Sequence, residues 1–402
     1  MRRHILLLTF PLLIVLLAGC AGKITPCNSY EDNPQHHYLR GMESLEIGKL
    51  DDAQSSFDRA ISCNEKFGPG FAGLAIVAAE KGGTATDTGS RTFQVERARE
   101  NLARSKKQAE SAEQRFDYQM ARLRISPLLK EKKWLVTAEN ASDDAQKLKV
   151  DEAKLLYYRG KEAAPYFLGL AYLEALEFPK AREQFEQVLG SRREGKWQER
   201  ADRGWKRVDR ILRAMAGMTV GDVGKKIAVK GSVSRGELAA LFVDELTIDK
   251  LFAGRIPIAP QAAKLQAEFT PADLVDYPFR GEILTLMKWK VRGMEPRYDS
   301  TSQAYLFKPT EPVSRGELAL TLEDLLIKLT GNEKLATAYL GQEKSPFPDV
   351  RSTSHYYNAV MNMTTRGIMV GELSGEFRAN DPVDGADALL AIRMLQQKKN
   401  IH

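Results

Sequence analysis

Seven residues occur twice in this chain, letter for letter: Val233-Ser234-Arg235-Gly236-Glu237-Leu238-Ala239 returns as Val313-Ser314-Arg315-Gly316-Glu317-Leu318-Ala319. A looser third copy is Val383-Asp384-Gly385-Ala386-Asp387-Ala388-Leu389. The chemistry of the segment is that of a helix start. Ser234 and Ser314 are placed to accept from the first free N–H groups, while Glu237 and Glu317, three residues on, can reach back as the other half of a capping box. The valine before each cap and the leucine at the fourth helical position have the spacing of a hydrophobic staple. Local energetics leave one residue type unexplained. Arg235 and Arg315 fall at the first helical position, where the helix dipole favours an anion by up to about 1 kcal/mol. A cation kept there points to ligand duty.

Around these caps runs a longer pattern. Phe347-Pro348-Asp349-Val350 precedes a helix-like run from His355 to Thr365, closed by Arg366-Gly367-Ile368-Met369-Val370-Gly371, and Phe377 to Val383 lead into the third cap. The middle copy has Asp273-Leu274, then Ile283, Leu286 and Met287 at helical spacing, Arg292-Gly293-Met294, and Phe307-Lys308-Pro309 before Ser314. The first keeps only the cap and its helix, with Trp205 to Met215 as the expected first helix. This outline resembles the S-layer homology module: F-x-D-V, a helix, G-φ-φ-x-G, F-x-P, then T-R-A-E. The resemblance implies three modules packed around a shared bundle, with grooves that receive an anionic wall glycan. It also implies that the arginines, here Arg235 and Arg315, meet its carboxylate through a planar fork of N–H donors. Serine stands for threonine and preserves the cap, and glycine stands for alanine in both full copies. Gly385 replaces the arginine in the third copy, so at most two sites should be intact.

Upstream, two windows align at helix-turn-helix spacing. Gly41 is followed by Ala53, Phe57 and Ala60; Gly169 is followed by Ala181, Phe185 and Val188, with Tyr172 also in place. Both resemble tetratricopeptide repeats, in which a small residue on one helix admits an aromatic from the next. A window from Phe71 to Ala79 begins a third repeat, which Gly82 to Ser90 should interrupt as a loop. From Val95 to Leu129 the composition and spacing predict long amphipathic helices with a solvated charged face. Asn140-Ala141-Ser142-Asp143-Asp144 reads as a polar break. Hairpins of this type cannot bury their apolar stripes alone, so they should stack as a short solenoid; the resemblance implies that its concave face binds a protein partner.

The N-terminus carries Arg2 and Arg3, an apolar run from Ile5 to Leu17, and small residues after it, the form of a secretory signal. Leu17-Ala18-Gly19-Cys20 resembles the bacterial lipobox, which implies cleavage before Cys20, a diacylglycerol on its thiol and permanent membrane attachment. Ala21, where inner-membrane lipoproteins of enteric bacteria often carry Asp, implies the outer membrane. Export would put Cys27 and Cys63 in an oxidising compartment, where they can either pair or stay as free thiols. His36 and His37 lie near them in sequence, but without C-x-x-C spacing they read as solvated side chains rather than metal ligands.

The 59 basic residues barely exceed the 53 acidic ones, and two of the arginines lie in the signal, so the mature surface is too weakly basic for nucleic acid. There is no G-x-S-x-G, H-E-x-x-H or Walker loop, and Asp51-Asp52 and Asp143-Asp144 fall in turn-like polar stretches. No catalytic, metal or cofactor site is expected. The sequence therefore predicts an all-α chain: signal 1–19, lipidated linker 20–33, tetratricopeptide-like solenoid 34–200, and an S-layer-homology-like domain 201–402 with units at about 201–250, 265–330 and 345–400. The expected task is a non-enzymatic link in the cell envelope, from outer membrane to wall glycan, with a protein partner on the solenoid. The other reading is a scaffold for an envelope export or secretion machine.

Overall fold

The computed structural model describes Cys27 and residues 29–217, 219–253 and 266–398. The signal and Cys20 lie outside the described residues. The chain is mostly helical and divides into two compact units, one holding the described residues up to Ala121 together with Leu148–Arg159, the other Arg122–Lys147 and everything from Gly160.

In the first unit α1 (Pro34–Glu46), α2 (Leu50–Cys63), α3 (Gly68–Thr84) and α4 (Thr88–Gln108) pack in succession, and α5 (Ala112–Leu129) begins here. Asn33 caps α1, accepting from the His36 N–H at 2.9 Å, and Pro34 opens the helix where its missing N–H costs nothing. The ring of Phe57 on α2 is fully buried between two glycines. A Cβ on Gly41 of α1 would lie 2.5 Å from that ring, and one on Gly73 of α3 would meet it too. The Gly41, Ala53, Phe57 and Ala60 pattern is thus a close helix approach with an aromatic filling it. The expected loop from Gly82 to Ser90 is mostly helix: α3 runs to Thr84, and Asp87 restarts the chain by capping α4 through the Ser90 N–H at 2.7 Å. Cys27 and Cys63 are joined by a disulfide, their Cα atoms 5.4 Å apart. His37 is not solvated, since its Nε2 lies 2.7 Å from Asp32, which also binds Arg59. The Arg59 and His37 contacts hold the Asp32 carboxyl down at about 2.

The second unit contains α6 (Trp134–Lys147), α7 (Ala163–Glu174), α8 (Phe178–Gly190) and α9 (Lys196–Met215). The polar run from Asn140 to Asp144 does not break α6, because Ala138, Ala141, Ser142 and Ala145 form one buried stripe and the acids face outward. The Asp51-Asp52 pair likewise sits in the first turn of α2, where the dipole favours it, and Asp51 pairs with Lys81 at 2.6 Å. Phe185 repeats the role of Phe57: Cβ atoms on Gly169 and Gly204 would lie 2.7 and 2.8 Å from its ring. α9 packs on α8 and also on the last helix of the chain, so packing continues across the boundary expected near residue 200.

The remainder comprises α10 (Asp222–Ala228), α11 (Arg235–Asp244), α12 (Ile248–Ala253), α13 (Arg280–Lys288), α14 (Arg315–Thr330), α15 (Tyr357–Thr365) and α16 (Gly385–Lys398). Between α13 and α14 stands a two-stranded hairpin, β1 (Arg297–Asp299) and β2 (Ala304–Leu306), absent from the all-helical expectation. Asp299 closes its turn by accepting from Ser302 N–H and Oγ at 2.8 and 2.7 Å. Packing in this part is cyclic. α11 packs on α13 of the next unit, α14 on α15, and α16 on α9, which is the first helix expected at Trp205 to Met215.

Candidate functional site

Both expected capping boxes form. Ser234 and Ser314 accept from the N–H groups of Glu237 and Glu317, and the two glutamates accept from the N–H groups of the serines at 3.0 and 2.9 Å. Burial works against the Glu317 carboxylate, but the Ser314 N–H and Arg297 outweigh it and hold it below the usual range. The third helix starts on Asp384, which accepts from the Asp387 N–H at 2.8 Å.

The valines ahead of the three caps meet at one point. Val233 donates its N–H to Val383 O at 3.0 Å, Val383 donates to Val313 O at 2.9 Å, and Val313 donates to Val233 O at 2.9 Å. The result is a closed cycle of three main-chain hydrogen bonds made by residues that are all buried. Buried peptide groups must find partners, and here each unit can satisfy its own only by meeting the other two. The staple valine read from the sequence as a local device is therefore also the point where the three capped segments meet.

Arg235 and Arg315 do not face an open groove. Arg235 is 2 % exposed and its guanidinium is held by three carbonyls of the following unit: Nε to Phe307 at 2.9 Å, Nη1 to Gly293 at 2.9 Å and Nη2 to Glu295 at 3.0 Å. Arg315 is 7 % exposed and repeats this one unit later, with Nε to Phe377 O at 2.9 Å, Nη2 to Val370 O at 2.7 Å and Nη1 to Asp387 at 3.3 Å. Each guanidinium also lies over the aromatic of F-x-P or its equivalent, 4.7 Å from the Phe307 ring and 5.0 Å from Phe377. This geometry corrects the expectation that the two arginines reach out to a glycan carboxylate: they clamp one unit to the turn of the next. A cation tolerates the first helical position because it is solvated by carbonyls of another segment. Burial lowers the pKa of Arg235, and nearby Arg297 adds to the effect.

The turns that receive the arginines are themselves fastened by the aspartates of the F-x-D-V position. Asp273 accepts from the N–H groups of Phe307 and Lys308 at 3.0 and 2.6 Å, and Asp349 from those of Phe377 and Arg378 at 2.9 and 2.6 Å. Burial opposes the Asp349 charge, yet these N–H groups keep its carboxyl below the ordinary range.

The third junction is built differently. A Cβ on Gly385 would run into Ile227 O at the end of α10, so no arginine fits there. Instead Arg210 of α9 reaches the caps, 3.1 Å from Asp384 and 3.2 Å from Asp387. Asp387 thus lies between Arg210 and Arg315. Nothing local marks Arg210, because it is separated from Asp384 and Asp387 by more than a hundred residues.

Among the described residues, an aromatic pair and a cavity lie outside these clamps. On the hairpin, Tyr298 and Tyr305 are opposite each other, 59 % and 55 % exposed, with ring centroids 5.4 Å apart, and Phe269 lies 5.9 Å from Tyr305. Strand alternation puts this pair on the face opposite to Arg297, which binds Glu311 and Glu317. The cavity lies between α7 and α9.

Residues 346–389 match the S-layer homology domain family. They run from the F-x-D-V segment through α15 to the first turn of α16. The match covers only this third unit, and it points to attachment to a cell-surface or cell-wall glycan through a binding module. No curated protein and no solved structure matches the chain. Among the described residues no helix is long and apolar enough to cross a membrane.

Proposed function

We propose that this chain is a non-enzymatic envelope lipoprotein, held in the outer membrane by acyl chains on Cys20, that links that membrane to a wall glycan while its helical hairpins recruit a protein partner. The observation that carries the reading is the family match at residues 346–389, set in a ring of three units that share one capping motif. Glycan contact is assigned to exposed groups rather than to the buried arginines. The aromatic row of Phe269, Tyr305 and Tyr298 offers ring faces to the apolar side of a pyranose, on a hairpin already fixed by its capped turn.

Sedimentation of the full chain with purified sacculi tests this. Wild type should cosediment, and Tyr298→Ala with Tyr305→Ala should weaken binding without lowering the melting temperature. Failure of the wild type to cosediment would remove the tether. The burial of both arginines favours one second reading, a scaffold of an envelope export or secretion machine that binds no glycan. Copurified membrane-complex subunits together with no sacculus binding would establish it.

A further inference from the structure

We propose that the cavity between α7 and α9 is a docking site for an acidic segment of a partner protein, one that carries an apolar anchor residue between its carboxylates. The inference rests on the reading that the hairpins recruit a partner, and it names the chemistry of that partner. The cavity has a volume of about 270 Å³, and Tyr166, Leu170 and Leu173 of α7 line one side. Arg200, Arg203 and Arg207 of α9 line the other, and Gly204 between them places no side chain over the floor.

Positions 200, 203 and 207 fall on one face of a helix. Like charges at that spacing repel, so the row is kept against the preference of the helix itself. No carboxylate is among the lining residues, and a concave wall with low-dielectric sides concentrates the positive field at the mouth. Arg207 donates to Val229 O, which fixes its direction before any ligand arrives, and the Arg200 guanidinium rests 5.2 Å over the Trp197 ring. Leu170 is 37 % exposed on a helix whose neighbouring Leu168, Gly169 and Ala171 are buried. An occupant must therefore supply both negative charge and an apolar group of side-chain size, and an acidic peptide with one leucine-like residue does so.

The test uses the full chain and a fluorescein-labelled synthetic peptide with one leucine flanked by aspartates and glutamates. It should bind, with an affinity that falls as salt rises. Arg203→Glu and Leu170→Gln, both at exposed positions, should each weaken it roughly tenfold or more. A peptide with Asn and Gln in place of the acids, or Gly in place of the leucine, should not bind. No binding to wild type, or equal binding to Arg203→Glu, overturns the proposal. So does complete competition by phosphatidylglycerol vesicles, which would make the groove a lipid surface. In cells, photocrosslinking from position 203 is compared with position 93, where Phe93 is 60 % exposed on α4. Adducts at 93 with none at 203 overturn the groove alone; none at either overturns partner recruitment along with it.

Discussion

Arg235 and Phe307 are joined twice across the boundary between two units: Nε donates to the phenylalanine carbonyl at 2.9 Å, and the guanidinium carbon stands 4.7 Å over the ring. Arg315 and Phe377 repeat both contacts. The recurring arginine and the recurring F-x-P aromatic are therefore two halves of one clamp, and their separation by 72 residues hides the pairing from any local reading.

The clamp predicts a stability effect. Arg235→Ala leaves the carbonyls of Gly293, Glu295 and Phe307 without their donor in a buried site and should cost about 3–5 kcal/mol. Arg235→Lys should restore little, because an ammonium lacks the planar fork that reaches three acceptors. Thermal or urea unfolding checks this, and an unchanged midpoint in Arg235→Ala would remove the clamp. Loss of glycan binding in this variant would carry no information about ligand contact unless the fold survives.

Restoring the missing arginine should do harm. Gly385→Arg brings the third copy closer to the repeated motif, yet its Cβ would collide with Ile227 O, and the cost should be about 1–3 kcal/mol or more. A pair of melting curves decides it: a stabilised variant would show that α10 yields easily.

Asp117 should make the first unit weaken as pH rises. Its carboxyl is buried and accepts from Tyr38 OH at 2.8 Å; burial pushes its pKa up to about 7, Tyr38 opposes, and Glu113 adds to the rise. Because the folded value exceeds the ordinary one, the stability it contributes is present in full below about pH 4. It is lost as pH climbs through 7, by at most about 4 kcal/mol. Asp117→Asn keeps an acceptor for Tyr38 and should flatten that slope. Urea midpoints between pH 4.5 and 8 provide the check, and parallel slopes in the two proteins would show that another group titrates.

The Cys27–Cys63 disulfide closes a loop of 36 residues. In the chain-entropy account this is worth about 3–4 kcal/mol, so reduction or Cys63→Ser should lower the melting temperature of the first unit by on the order of 10 °C. Calorimetry with and without reductant measures it. Overlapping traces would show that the bond constrains little.

Much of the fold was legible because its signals are local. Ser234 and Glu237, or Gly169 and Phe185, lie within a few turns of one another, and their spacing alone states what they do. Where the reading missed, tertiary packing outweighed composition. The Asn140 to Asp144 run looks polar, but Ala141 and Ser142 face the core while Asn140, Asp143 and Asp144 stay in solvent; the Gly82 to Ser90 run looks like a loop, but its first three residues end α3 and its last three open α4 behind the Asp87 cap. Gly73 and Gly204 escaped notice because each serves an aromatic on the preceding helix rather than its own hairpin.

The sequence by itself determined where the helices start, how the hairpins close and that the last two hundred residues repeat, since capping and close approach act over a few residues. Only the tertiary structure decided what the repeated arginines are for. Whether a guanidinium meets solvent or a ring of carbonyls depends on segments brought together from 58 to 72 residues away, and here those segments enclose it.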